Sequence, residues 1–221
     1  LLQEKDRNAP TEWLVKNGFL PAYFLNISER IEKIVYKPQN FSENGVLVAG
    51  GTDLMVRNAE ILAEEEIVPL HDNKDLKFIR AEGGKLYIGA VVTGGELEHS
   101  LVINEAFPEL AHAMGHFASR PIRNMATMAG NIVNASPIGD LTIILLALNA
   151  ELRIFGPESI RSILLKDFYL GYKKIDLHHN ERITEISFEI PAETYNFNFE
   201  KVSKREHLDI ASVNSACLMR V

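Results

Sequence analysis

The segment GVLVAGGTD at residues 45–53 restricts the fold more than any other part of this chain. Its apolar, β-branched run reads as a short buried strand. The strand runs into two adjacent glycines, then a threonine, an aspartate and the helix-like MVRNAEIL at residues 55–62. A glycine pair there supplies positive φ at Gly50 or Gly51 and lets the backbone approach a neighbour closely. EIVPL at residues 66–70 reads as a second strand, and KLYIGAVVT at 85–93, after the Gly83-Gly84 turn, as a third. Strand, loop, helix and strand in that order favour a small sheet with parallel members. The loop fits neither G-x-G-x-x-G nor G-x-x-x-x-G-K-[ST], so it points to neither a Rossmann fold nor a nucleotide triphosphatase. Two readings stay open. The glycines make a tight turn and nothing more, or they present free main-chain N–H groups to a phosphate, with the Thr52 hydroxyl as a further donor.

A helical stretch follows over about residues 96–118, with Pro108 starting a helix within it rather than interrupting one. Then comes SRPIRNMATMAGNIVNASPIGD at residues 119–140, rich in small and polar side chains and without sustained periodicity. Asn131, Asn134, Ser136 and Asp140 supply donors and acceptors, while Ala129 and Gly130 leave room for a bulky planar ligand. Asp140 has two readings: a carboxylate that accepts hydrogen bonds from a sugar-like diol, or the N-cap of the next helix. Phe117 can stack on a flat ring or pack in the core. Arg120 and Arg123 can balance a negative ligand or form surface ion pairs. LTIILLALNAELRIF then reads as a buried helix leading into a strand. LKDFYLGY, RITEISFEIP and FNFEKVSK read as a short helix and alternating strands. Cys217, within an apolar run, reads as a core thiol. His112 and His116 stand four apart on a helix, but HAMGH lacks the glutamate of a zinc protease site. His178-His179 falls in a polar loop.

Composition closes off other function classes. Of 221 residues, 46% are hydrophobic and 24% charged, and the formal net charge is −7, which argues against a broad nucleic-acid or anionic-membrane surface. A single cysteine rules out a disulfide within the chain, a cysteine-bound zinc and an iron–sulfur cluster. The most apolar run, residues 141–150, is too short to span a bilayer, and no signal-peptide pattern is present, which leads to the expectation of a cytoplasmic location. The chain starts without Met and stops inside the strand-like run ASVNSACLMRV, so a piece of a longer polypeptide is expected.

LVAGGTDL, then FASRPIRNMATMAGNIVNASPIGDL some seventy residues later, resemble the flavin domain of xanthine dehydrogenases, aerobic carbon monoxide dehydrogenases and related molybdenum hydroxylases. RSILLKDFYLGYKK, ERITEISFEIP and KVSKREHLDIASVN match further segments of that family in order, over about residues 46–221. The resemblance implies an α+β, two-subdomain FAD-binding fold, with a small partly parallel sheet and helices plus a larger antiparallel sheet and helices. It divides the chain into a connector from a missing iron–sulfur domain at 1–35, FAD-binding subdomains at 36–95 and 96–200, and the start of a truncated C-terminal flavin-subunit domain at 201–221. The connector rests on PTEWLVKNGFLPAYF, which is similar to the segment after the iron–sulfur domain in fused bacterial small subunits. A short helix with Ser28 as N-cap is expected between it and Pro38.

Carried over by residue, the resemblance assigns the FAD pyrophosphate to the loop formed by Leu47, Val48, Ala49, Gly50, Gly51, Thr52, Asp53 and Leu54. It sets Phe117 beside the isoalloxazine and makes Thr127, Met128, Ala129, Gly130 and Asn131 a second flavin-contacting loop. Asp140 becomes the hydroxyl-binding carboxylate, and Lys201 a lysine near the flavin. Ile183 or Thr184 is an apolar contact, and Asp53 lies toward the NAD side. At residues 128–130 the family more often has a glycine pair where this chain has Ala129-Gly130. The implied cofactor is FAD. The 2Fe–2S clusters and molybdenum cofactor would belong to missing or partner chains, and NAD+ would be the usual electron acceptor. Two other readings are a self-contained flavin oxidoreductase and a flavin-free scaffold. Flavin content separates the scaffold from the rest; co-purification with molybdenum and iron–sulfur subunits separates the two enzymes.

Overall fold

A computed structural model describes residues 45–157, 159–205 and 209–220. Residues 43–221 form one compact unit, and all that follows concerns it. The expected connector and the helix at Ser28 lie outside the described residues.

The first strand, β1 (Val46–Val48), pairs in parallel with β2 (Ile67–Pro69), in register Val46↔Ile67 through Val48↔Pro69. Parallel strands cannot be joined by a tight turn. The crossover is made by two single-turn helices, α1 (Leu54–Arg57) and α2 (Ala59–Leu62), where one helix was expected. The strand expected at 85–93 is β4 (Lys85–Gly89), and it does not join this small sheet. It pairs instead with β3 (Ile79–Glu82) and β9 (Arg182–Glu189) in a five-stranded antiparallel sheet completed by β5 (Glu151–Phe155) and β6 (Ile160–Leu164), in the order β3-β4-β9-β5-β6. The Gly83-Gly84 turn makes β3 and β4 a hairpin, and a hairpin pairs antiparallel. β3 and β4, grouped by the expected boundary at residue 95 with the first subdomain, are thus hydrogen-bonded into the larger sheet.

One face of that sheet carries the core. Leu86, Ile88, Leu152, Ile154 and Ile186 are 0% exposed on it. Their alternation with half-buried or exposed neighbours is the period-2 pattern of a one-sided sheet. The helices pack on this face. The expected helix at 96–118 is three: α3 (Gly94–His99), α4 (Leu101–Ala106) and α5 (Pro108–Met114). Ser100 breaks the first by turning extended and capping the second through Ile103 N–H. Pro108 starts α5, as its missing N–H allows. Each buried Leu, Ile or Met on these helices contributes about 1.5–3 kcal/mol.

The aperiodic stretch at 119–140 also holds helix: α6 (Arg120–Arg123) and α7 (Met128–Asn134). After it comes α8 (Asp140–Ala147), which buries residues on more than one side because it lies between the core and the hairpin of β10 (Tyr195–Val202) and β11 (Val213–Arg220). A short helix α9 (Leu165–Phe168) and the small hairpin β7 (Tyr169–Gly171) and β8 (Lys174–Ile175) complete the unit. In β11 the side chains alternate, and Cys217 falls on the exposed face, not in the core. Among the described residues no helix is long and apolar enough to cross a membrane.

On β6, Arg161 donates to both Glu181 oxygens, at 2.8 and 2.7 Å, and to Asp176 at 2.9 Å. The guanidinium holds the Glu181 carboxyl down to about 2, from its ordinary 4.5. A depressed carboxyl contributes stability that is complete above its unfolded value and is lost as pH falls through the folded one. The thermal midpoint should therefore drop between about pH 4.5 and 2 more steeply in the native chain than in Glu181→Gln, as followed by circular dichroism. Parallel curves would show that this pair contributes nothing to acid stability.

Candidate functional site

The glycine turn and the small-residue loop, about seventy-five residues apart in sequence, meet in space. Gly50 sits against the backbone of the second loop, where an added Cβ would fall 1.8 Å from the Met125 carbonyl oxygen. Only glycine permits that approach. Gly51, with φ of +65°, is the residue that turns left-handed. Between them they aim the chain out of β1 and into α1. The main-chain N–H groups of residues 50–54 find no acceptor among the described residues; the first donor to be used is Met55, to the Gly51 carbonyl at 2.9 Å. A run of unpaired amides in a tight turn is an anion cradle. Leu47 and Val48 lie in β1 and Ala49 in the bend that follows. Asp53 is half-exposed and pairs with Arg57 at 3.1 Å.

The second loop is laced to the segment after β4. Gly94 donates to the Ala126 carbonyl at 3.1 Å, Met128 to Val92 at 2.9 Å and Ala129 to Ala90 at 3.0 Å. The amides of Met128 and Ala129 are therefore spent within the protein. Thr127, 2% exposed, caps α7 by accepting the Gly130 N–H at 3.2 Å. A threonine hydroxyl that accepts keeps its own proton to give elsewhere. The Asn131 side-chain oxygen is buried and has no hydrogen-bond partner among the described residues. A buried oxygen left in that state is costly and marks a place where a donor belongs. The methyl of Ala129 packs against the core. Thr127 and Asn131 are thus the members of this loop with polar capacity to spare.

Phe117 is 7% exposed, within the core cluster. The left-handed Ala118 after it (φ 49°) is held by Arg123, which donates to the Phe117 and Ala118 carbonyls at 2.9 and 3.0 Å and to Glu98 at 2.8 Å. That ion pair fixes the turn behind Phe117. Ile183 is 4% exposed, in the core. Thr184 is the extra residue of a bulge between β9 and β5; its hydroxyl donates to the Arg153 carbonyl at 3.1 Å, and its carbonyl accepts from Ala90.

Asp140 is the first residue of α8, and Gly139 holds the cap position, so the expected N-cap role falls away. The reason is that the carboxylate is engaged elsewhere. Lys201 Nζ donates to one oxygen at 2.6 Å and Asn214 Nδ2 to the other at 2.8 Å. Lys201 also donates to the His116 carbonyl at 2.9 Å, and Asn214 to the Ile138 carbonyl at 3.2 Å. The Lys201 and Asp140 side chains are 9% and 8% exposed, so this is a buried pair with its hydrogen bonds met. Sequence reasoning named Asp140 and Lys201 separately and missed Asn214. The signal was the strand register: Lys201 and Asn214 are directly opposite in the β10–β11 hairpin. Beside this cluster a groove of about 560 Å³ lies between α5 and β10, lined by His112, His116, Phe197, Phe199 and Lys201 among others. The two imidazoles stand 5.6 Å apart, ring centre to ring centre. Among the described residues no group of three or more His, Cys, Asp or Glu is placed to hold a metal ion.

Residues 28–193 match the family described as the FAD binding domain in molybdopterin dehydrogenase. The chain belongs to that family. It is 30% identical over 178 residues to the xanthine dehydrogenase FAD-binding subunit of Escherichia coli O157:H7, covering 79% of this chain and 61% of that one. It is also 30% identical over 173 residues to the carbon monoxide dehydrogenase medium chain of Afipia carboxidovorans, covering 78% and 60%. The carbon monoxide dehydrogenase of Hydrogenophaga pseudoflava, in a form lacking the Mo-pyranopterin moiety of its cofactor, superposes with a TM-score of 0.75 at 27% identity, over 87% of this chain and 66% of that one. The chain thus spans about three-fifths of the length of the curated relatives it matches.

The small parallel sheet and larger antiparallel sheet expected for this FAD-binding family are both present. Its residues also fit the cofactor. A dinucleotide needs donors for a pyrophosphate and partners for hydroxyls and ring edges. The unpaired amides at 50–54, the Thr127 proton and the orphaned Asn131 oxygen are groups of those kinds around one backbone contact.

That contact gives a direct test. Gly50→Ala should lower stability by about 1–3 kcal/mol, because the methyl cannot be accommodated without moving residues 125 and 126. Gly83→Ala, where a Cβ would meet nothing within 4 Å, should cost about 1 kcal/mol through its positive φ alone. Urea denaturation measures both, and equal losses would contradict the close approach.

Proposed function

We propose that the chain is the FAD-binding electron-transfer part of a xanthine dehydrogenase-like molybdenum hydroxylase. The observation that carries this is the meeting of the turn at Gly50 with the small-residue loop, each offering polar groups the protein itself leaves unused. Membership of an FAD-binding family supplies the ligand.

In this reading the pyrophosphate is held by the amides of residues 50–54 and the Thr52 hydroxyl. Charge is balanced by backbone dipoles and not by a cation, as in an anion nest. Thr127 donates its free proton, and the Asn131 carboxamide finds the partner it lacks. Asp140 accepts from a hydroxyl of the cofactor's sugar-like chain: each carboxylate oxygen has a second lone pair after Lys201 and Asn214 have taken one. Lys201 holds that carboxylate in its orientation. Phe117 gives an apolar wall behind which Arg123 fixes the turn, and Ile183 or Thr184 supplies a contact from the β9 bulge. Asp53, half-exposed and next to the glycine turn, faces the acceptor. When bound, FAD supplies a junction between one-electron donors and a two-electron acceptor, here 2Fe–2S clusters and NAD+. The chain needs no acid or base of its own, and its residues position the cofactor and exclude water around it.

The partners in this reading are a molybdenum-cofactor subunit and a 2Fe–2S domain. The relatives' names include xanthine, carbon monoxide, caffeine and nicotinate dehydrogenases. Of the substrate classes these represent, a purine is the one we assign, on the connector-like segment at residues 10–24. That substrate would react at the molybdenum site of another subunit.

Purified chain should take up FAD and show the visible flavin spectrum, and Asp140→Ala should lose most of the retained flavin. The variant removes one partner of a buried ion pair, a change that costs about 3–5 kcal/mol, so flavin content must be read on the folded fraction. Full flavin content in folded Asp140→Ala would remove Asp140 from the site. Anaerobic NADH should bleach the visible band of the bound flavin; a band that persists in excess NADH would take NAD+ out of the proposal and leave FAD binding in place.

A further inference from the structure

Asn214 lies on β11, outside both loops and beyond the matched residues 28–193. Its side chain nevertheless reaches the start of α8. Nδ2 donates to Asp140 Oδ1 at 2.8 Å and to the Ile138 carbonyl at 3.2 Å. Both neighbours are acceptors only, so the position calls for a group with two N–H bonds on one atom. An asparagine amide supplies that, a carboxylate of the same shape cannot, and a hydroxyl has only one proton. Lys201, opposite Asn214 in the hairpin, takes the other Asp140 oxygen at 2.6 Å. The carboxylate is thus gripped from two strands at once, one donor on each oxygen. The Ile138 carbonyl ties the chain two residues before Asp140 to the same amide.

We infer that Asn214 is a positioning residue for the flavin site: it aims the Asp140 carboxylate at the cofactor and makes the β10–β11 hairpin part of the cofactor-binding apparatus. The inference rests on the flavin reading above. A charge held in one orientation before the ligand arrives costs nothing to order on binding, which is how a residue remote from the ligand changes affinity.

The test is a double-mutant cycle on FAD affinity, measured by flavin fluorescence on the apo form of the full 221-residue chain, with Asn214→Leu and Asp140→Asn. Asn214→Leu should raise the FAD Kd roughly tenfold, as expected for a hydrogen bond to a charged group. In the Asp140→Asn background the same substitution should change Kd by less than about twofold, because the group it orients is already altered. Asn214→Gln, which keeps the amide, should recover most of the affinity. Circular dichroism melting of each apo variant gives the separate readout. A lower midpoint with unchanged Kd means Asn214 only ties the hairpin down, and overturns the inference. So do additive effects in the cycle. If native chain fails to bind FAD, the flavin reading itself falls and takes the inference with it; if native chain binds and Asn214→Leu binds equally well, only the inference falls.

Discussion

Gly50 packed on the Met125 carbonyl is the contact on which the rest of the site depends, because it turns two loops distant in sequence into one surface. The contact has no side chain on one partner, so it cannot be adjusted by a rotamer. The two backbones either approach or they do not. The small parallel sheet sets the height at which β1 releases the chain, and the left-handed Gly51 sets the direction. From the other side, three hydrogen bonds to residues 90–94 hold the second loop flat against the end of β4. Rigid scaffolds on both sides let a pair of loops keep polar groups unpaired, where an unsupported loop would collapse and satisfy them internally.

A second constraint is the buried Asp140–Lys201 pair. Two charges less than a tenth exposed are expensive to hold apart from water, and a pair like this is more readily explained by what it orients than by net stability. It joins the start of α8, the strand β10 and the His116 carbonyl at the end of the α5 turn, one residue before Phe117. The flavin-facing elements of the proposed site are therefore mechanically linked: movement of the hairpin is movement of Asp140, and through His116 it bears on the turn that carries Phe117.

Much of this was legible in the residues, and the parts that were not have physical reasons. GVLVAGGTD announced a buried strand, a glycine turn and a helix; all three elements are present, but in the strand only Val48 is buried and Val46 and Leu47 are half-exposed. RITEISFEIP announced a one-sided strand, and β9 alternates as expected. What a single sequence could not convey was partnership. KLYIGAVVT is as good a strand for a parallel as for an antiparallel sheet, and only its hairpin with β3 decides which. The loop at 119–140 hid α6 and α7 because helices of four and seven residues are too short to set up an apolar period. Asp140 was named for its chemistry, but its binding by Lys201 and Asn214 follows from a strand register that no local pattern states. Cys217 was misplaced for a related reason: in an apolar run, one residue of register exchanges the inner face for the outer.

Amide hydrogen exchange with and without FAD reads the central claim at its own residues. In free chain the unpaired N–H groups of residues 50–54 should exchange fast, and FAD should slow them together with those of the second loop at 127–131, while the outer strands β3 and β6 stay unchanged. Protection that left residues 50–54 fast, or that appeared only at the groove between α5 and β10, would place the cofactor elsewhere and contradict the account.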